Sequence, residues 1–322
     1  MKISACMIIK NESELLPQCL QSIQWVDEII CVDTGSTDNS IEIAKKYGAK
    51  VNIHPWQNDF SFHRNQSIDY ATGDWFITID ADEIIVLGTN PKNIKEYLAN
   101  MPTDVSALIT EITEISNGVK TAFWFYPKIF RKKDFIGYRK IVHNEPYFKN
   151  QSVISEIRFN HFGYSLNAEK MEKKIKRTKN LLYQRIRDNS EDYIAYLYMM
   201  QTLFYAEYFE EAEDCGIKYF YFAKKNYDSR YHEIAYYFMC IILNAIGKYR
   251  KSYSWGKKGL KSFPDSIDLN HAMAKTCFRM KSKKLFKQYT NKYLLELVML
   301  RNSKIPKTIC YTANEISRRE LM

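Results

Sequence analysis

Trp75-Phe76-Ile77-Thr78-Ile79-Asp80-Ala81-Asp82-Glu83 is the stretch on which the fold turns. Trp75–Ile79 is apolar and rich in β-branched and aromatic side chains, so it reads as a strand, and Gly73-Asp74 before it reads as a turn. A cluster of carboxylates follows at once. Upstream, the same order repeats. Lys2–Ile9 and Glu28–Val32 are short apolar strands, and Lys50–His54 is a third. Between them Glu14–Ile23 places Leu15, Leu16, Cys19, Leu20 and Ile23 on one helical face, and Asn39–Tyr47 and Phe60–Tyr70 also read as helices. Asn39 with Glu42 makes a capping pair, with Asp38 as the alternative cap. Strand and helix alternating at this spacing predict a parallel α/β sheet.

In such sheets ligands bind beyond the carboxyl ends of the strands. That puts Lys10-Asn11-Glu12, Asp33-Thr34-Gly35-Ser36 and Asp80-Ala81-Asp82-Glu83 on one rim. Asp80 and Asp82 are spaced to share a divalent cation with a diphosphate; hard oxygen ligands suit Mg²⁺ or Mn²⁺. The metal would neutralise charge on a leaving nucleoside diphosphate. Asp33 is suited to accept from a base N–H or a ribose hydroxyl, or else belongs to a capping loop.

Past residue 104 the pattern changes to short strands in mixed order: Val105–Ile115, the aromatic run Phe123–Tyr126, then Lys128–Arg131. From about Glu169 Gly and Pro almost vanish and helix dominates. The expected domains are therefore 1–165, α/β, and 166–322, all-α. Gly247, Tyr249, Ser252 and Pro264 sit at tetratricopeptide spacing, Phe209 and Ala212 fit a preceding unit, and Leu285 is a candidate start of a third. A plain antiparallel helical array is the alternative.

The 322 residues carry a net charge of +10, which attracts phosphates, but no Lys/Arg block is long enough to point to nucleic acid. No apolar run reaches the roughly 20 residues of a membrane span. Seven Cys without a CxxC pair, and no signal peptide, lead us to expect free thiols in the cytoplasm.

Residues 1–90 together resemble the family 2 glycosyltransferases. The resemblance runs through Ala5–Glu12, Val26–Asp38, Asp59-Phe60-Ser61 with Arg64-Asn65, Ala71–Trp75 and Asp80–Glu83. It implies a GT-A, Rossmann-like domain and inverting transfer from a nucleotide sugar, usually a UDP-sugar. It places Asn11, Glu12 and Asp33 at the nucleoside, Arg64 on the nucleotide side of the pocket (a surface helix Arg being the alternative), and Asp80 with Ala81 near ribose and metal. Asp82 would bind the metal. Ile141–Glu145 and Asn160–Tyr164 are similar to motifs of a subgroup with tetratricopeptide-like helices, which includes sublancin-type peptide S-glycosyltransferases and protein O-glycosyltransferases. Many relatives have His and Glu adjacent, whereas here Asn144 intervenes. Glu145 or His143 is the candidate base for the acceptor, and His161 the candidate third group at the metal or diphosphate.

The leading expectation is transfer of a hexose or N-acetylhexosamine to Ser, Thr or Cys of a peptide or protein held by the helical half, either in one chain or in a homodimer. A lipid-linked or lipopolysaccharide-core saccharide is the alternative acceptor. A non-catalytic scaffold with a degenerate transferase domain is the reading from another class.

Overall fold

The computed structural model describes residues 1–86, 91–163, 168–225 and 229–302. Two compact units divide the chain, Met1–Leu166 and Asn167–Met322.

Unit 1 begins with β1 (Ile3–Ile9), α1 (Leu16–Ser22), β2 (Glu28–Asp33), α2 (Ser40–Lys46), β3 (Lys50–Ile53), α3 (Phe60–Asp69) and β4 (Trp75–Thr78). β1 pairs in parallel with both β2 and β4, and β2 with β3. Both faces of this sheet are covered, which is why its strands read as unbroken apolar runs. Along β1, Ile3, Ala5, Met7 and Ile9 join the layer that holds Leu16 and Leu20 of α1. Cys6 joins the opposite layer with Ile68 of α3, Phe76 and Phe130. Gly73 lets the turn before β4 lie against β1, because a Cβ there would sit 2.6 Å from Ser4 Oγ.

The expected helices and strands are present, trimmed by a residue or two at their ends. Asn39, however, makes no side-chain cap for α2. Asp38 does that work, with Oδ1 accepting from Ser40 N at 3.0 Å. The mixed half contains β5 (Glu83–Val86), α4 (Pro91–Ala99), β6 (Val105–Ser116), β7 (Val119–Arg131), β8 (Phe135–Arg139), β9 (Glu145–Phe148) and β10 (Gln151–His161). The sheet runs β3-β2-β1-β4-β7-β6-β10-β5, and β8-β9 form a separate hairpin. β7 is antiparallel to β4 and β6, β10 is parallel to β6, and β5 returns antiparallel to β10. Neither β5 nor α4 is legible in the sequence; Glu83 reads there only as part of a polar rim.

Unit 2 contains α5 (Ala168–Asp188), α6 (Tyr193–Tyr205), α7 (Phe209–Phe222), α8 (Ser229–Ala245), α9 (Tyr249–Ser262), α10 (Ile267–Arg279) and α11 (Lys283–Asn302). Helices α6/α7, α8/α9 and α10/α11 pack as pairs, and α8 also packs on both α6 and α10. One turn recurs in all three pairs. Glu207, Gly247 and Lys281 have φ of 62°, 73° and 57°. The next residue's N–H bonds back five residues in each case: Tyr208 to Leu203 O, Lys248 to Leu243 O and Ser282 to Cys277 O. This is the helix stop made by a left-handed residue. Leu285 therefore lies within the second helix of the third pair and does not begin it. No described helix is long and apolar enough to cross a membrane.

A left-handed turn favours glycine. Lys281→Gly is expected to raise stability by about 1 kcal/mol, and Gly247→Ala to lower it by about as much; chemical denaturation midpoints check both. His271 on α10 is buried, with neither ring nitrogen hydrogen-bonded among the described residues. Burial, with Lys275 nearby, pushes its pKa down to about 3. The unfolded chain therefore takes up a proton below about pH 6.5 that the folded chain refuses. Stability present above that pH is lost as pH falls toward 3, by about 1.4 kcal/mol per pH unit from this group. Denaturation of wild type and His271→Leu between pH 7 and pH 4 checks it; the variant is expected to lose this part of the slope.

Candidate active site at the carboxyl edge of the sheet

The parallel strands end together at Ile9, Asp33, Ile53 and Thr78. The loops after β1 and β2 are stitched to each other. Asn11 N donates to Ser36 Oγ, Asn11 Oδ1 accepts from Thr37 N at 2.7 Å, and Glu12 N donates to Ser40 Oγ. Asn11 and the Glu12 backbone thus hold the rim together. Asp33 is fully buried. Its Oδ1 accepts from Gly35 N and Ser36 N at 2.9 and 3.0 Å, which closes the loop. Its Oδ2 is buried with no hydrogen-bond partner among the described residues.

Asp80 leaves the end of β4 and is met by two cations. Arg64 Nη2 of α3 lies 2.7 Å from Oδ1, and Lys128 Nζ of β7 lies 3.8 Å from Oδ2. The Asp80 side chain remains 36% exposed, so it is reachable from solvent. Burial works against its charge, but Arg64 and then Lys128 outweigh that and hold the carboxyl below the usual carboxylate range. Arg64 is mostly covered and also lies over the Tyr138 ring, 5.6 Å from its centroid; it is not a surface helix Arg. Its Nε has no partner among the described residues. Glu83 turns back under Asp80: Oε2 accepts from Asp80 N at 2.8 Å and from Lys128 Nζ at 2.8 Å. Ala81 is buried in the sheet core, so only its backbone is available to a ligand.

Asp82 faces away from this pair toward His161, with Oδ2 3.5 Å from Nε2. Phe162 N donates to Asp82 O at 2.8 Å and ties the loop to the end of β10. His161 Nδ1 is hydrogen-bonded to Glu114 of β6, its register partner across the sheet. Burial disfavours the imidazolium, but Asp82 and Glu114 push its pKa up to about 10. Asp80, Asp82 and His161 are thus not gathered into one three-ligand cluster, and no such group of three or more His, Cys, Asp or Glu exists among the described residues. Asp80 is committed to Arg64 and Lys128, which leaves Asp82 and His161 facing each other. Gly163 keeps that junction open, because a Cβ there would lie 2.5 Å from Asp82 Oδ2 and 2.6 Å from His161 Nε2. Tyr164, the last residue of that motif, lies outside the described residues.

His143 and Glu145 sit in the turn and first strand residue of the β8–β9 hairpin. His143 has a φ of 49°, and Glu145 Oε1 meets Lys140 Nζ at 2.7 Å. The hairpin is docked on α3. Asn65 accepts from Tyr138 N at 2.8 Å and donates to Tyr138 O at 3.0 Å, and Ser61 Oγ donates to Lys140 O. Tyr126 OH donates to Asn144 O at 2.7 Å and ties the turn to β7.

Sequence reasoning misses Lys128, Glu114 and Tyr138, and gives Glu83 no role of its own. Lys128 does leave a trace, as the lone cation in the apolar run Phe123–Phe130.

Residues 4–155 match the family model described as glycosyl transferase family 2. A TPR repeat-containing protein of Synechococcus elongatus is 31% identical over 61% of this chain and 50% of its own. The SPbeta prophage-derived glycosyltransferase SunS of Bacillus subtilis is 28% identical over 75% of this chain and 58% of its own. The chain thus spans half to three-fifths of the length of these relatives. The crystal structure of S. aureus TarS 1-349 aligns over 90% of this chain and 92% of that one, at 14% identity and a TM-score of 0.38, too low to carry an argument.

Asn65→Ala strips the buried Tyr138 backbone of both partners. It is expected to cost about 2 kcal/mol, read as a lower denaturation midpoint at unchanged m-value.

Proposed function

We propose that the chain, whose residues 4–155 match the model described as glycosyl transferase family 2, is a glycosyltransferase that moves a sugar from a nucleoside-diphosphate donor, a UDP-sugar by the family resemblance, to an acceptor with inversion. The observation that carries this reading is that two of the buried polar atoms with no hydrogen-bond partner among the described residues, Asp33 Oδ2 and Arg64 Nε, belong to side chains at the carboxyl edge of the sheet. Buried polar groups are nearly always hydrogen-bonded, so an orphan at a strand-end cleft marks a place for a polar ligand. Asp33 suits a base N–H or ribose hydroxyl. Asp80, held by its cations and still exposed, suits the ribose.

A divalent cation, Mn²⁺ or Mg²⁺, would be held by Asp82 and His161, with the donor's diphosphate oxygens completing the set. Three features fit it: the facing oxygen and nitrogen, the space at Gly163, and Glu114 on the far nitrogen of His161, the outer partner that metal-bound histidines usually have. Bound there, it would supply Lewis-acid stabilisation of the departing diphosphate. His161 must then bind as the neutral imidazole, so the metal competes with the proton that Asp82 and Glu114 favour.

The turn carrying His143 and Glu145 is the proposed source of the base for the acceptor, and its double anchorage to α3 and β7 makes it rigid. A peptide or protein Ser, Thr or Cys is the acceptor we favour, with unit 2 as the acceptor-binding half. The support is the paired-helix repeat and the subgroup resemblance, in sequence, of Ile141–Glu145 and Asn160–Tyr164. A lipid-linked saccharide is the alternative.

Thermal melts with UDP and UDP-sugars, in Mn²⁺, Mg²⁺ or EDTA, test the donor site through ligand linkage. A rise in Tm with UDP that EDTA abolishes is expected in wild type and absent from Asp82→Ala and Gly163→Ala. No rise with any nucleotide would sink the catalytic reading in favour of a scaffold. An EDTA-resistant rise would remove the metal while keeping the donor.

A further inference from the structure

We propose that Lys128 is a positioning residue of the donor site, placed there by a β-bulge, and that with Arg64 it supplies the positive charge that lets an acidic strand end accept a pyrophosphate. This rests on the reading of the site as one for a nucleotide sugar.

The bulge is visible in the pairing of β7 with β6. Leu108 opposes Ile129 and Ile109 opposes Pro127, so Lys128 is the extra residue between them. An extra residue in one strand re-aims a side chain and bends the strand, and Pro127, which has no N–H to give to a ladder, is tolerated in such a place. The re-aimed side chain is 6% exposed and ends 2.8 Å from Glu83 Oε2 and 3.8 Å from Asp80 Oδ2. On its other side lies the Phe159 ring, with Nζ 5.9 Å from the centroid.

A buried ion pair is a poor way to hold a core together, since apolar side chains of the same volume usually do as well or better. The charge count gives this pair another purpose. Asp80, Asp82, Glu83 and Glu114 bring four carboxylates to the edge, and Arg64, Lys128 and His161 are the basic side chains paired with them in the described structure. A pyrophosphate adds further negative charge to that edge. Removing Lys128 would leave Asp80 with Arg64 alone and Glu83 with a buried, uncompensated charge. Glu83 also accepts the Asp80 N–H, so the lysine acts on both the charge and the backbone of the Asp80–Asp82 turn.

The test uses the full chain with UDP and Mn²⁺, in wild type, Lys128→Met, Lys128→Arg and the double variant Lys128→Met/Glu83→Gln. Melting of the ligand-free proteins reports core stability, calorimetry reports UDP affinity, and donor hydrolysis reports KM and kcat. Lys128→Met is expected to melt lower. The double variant, with both charges gone and an acceptor oxygen kept for Asp80 N, is expected to recover most of that Tm yet bind UDP about ten-fold or more weakly. Its donor KM should rise more than its kcat falls, and Lys128→Arg should bind more tightly than Lys128→Met. A double variant that recovers Tm and binds UDP like wild type makes the pair core structure only and overturns the proposal. If the double variant does not fold, equal UDP affinity in the Lys128→Arg and Lys128→Met proteins overturns it. Failure of wild type itself to bind UDP removes the donor-site reading, and this proposal with it, whatever the variants do.

Discussion

The carboxylate of Asp80 is the constraint around which the α/β unit is arranged. It leaves the end of a buried strand and is partly open to solvent, and cations beside it hold it ionised. The compensation comes from two separate elements, Arg64 on α3 and Lys128 on β7. Arg64 reaches Asp80 from α3, Lys128 reaches it from the bulge in β7, and Glu83 turns inward to meet the lysine. The same turn frees Asp82 to face His161. Two aspartates that look equivalent in sequence thus have different partners, Asp80 the cations Arg64 and Lys128 and Asp82 the imidazole of His161.

The second organising feature is the docking of the β8–β9 hairpin. Two adjacent residues of α3 face different tasks. Arg64 reaches Asp80, and Asn65 reads the backbone of Tyr138 as a strand neighbour would. Tyr138 in turn lies beneath the Arg64 guanidinium and meets Thr78 with its hydroxyl. The turn that carries His143 and Glu145 is therefore linked to the end of β4 through a short chain of direct contacts. Support of this kind fixes a turn that has no regular structure of its own.

The helical unit follows a simpler rule. Three helix pairs use the same left-handed stop, once with glycine and twice with a charged residue that pays a strain for it. The stops at Glu207, Gly247 and Lys281 stand 40 and then 34 residues apart, which explains why the repeat is so faint in sequence. Only the backbone geometry recurs; the residue that best announces it is present in one unit of three.

Much of the first 80 residues was legible because it rests on local patterning. Apolar runs bounded by Gly-Asp or by polar clusters specify the strands, helical spacing specifies α1 to α3, and parallel order places Asn11, Asp33 and Asp80 on one edge. The match of residues 4–155 to the glycosyl transferase family 2 model was legible for the same reason, since its motifs are short and contiguous. What the sequence could not reveal is how the charges pair. Arg64 and Asp80 are 16 residues apart, Lys128 and Glu83 45, and His161 and Glu114 47. No periodicity spans such separations, so sequence reading grouped Asp80, Asp82 and His161 as one metal set. By itself the sequence determined the strands and helices of the first 80 residues and the rim, because those follow from spacing along the chain. Only the tertiary structure decided which carboxylate meets Arg64 and Lys128 and which meets His161, because that depends on a bulge in β7 and on strands brought together from distant parts of the chain.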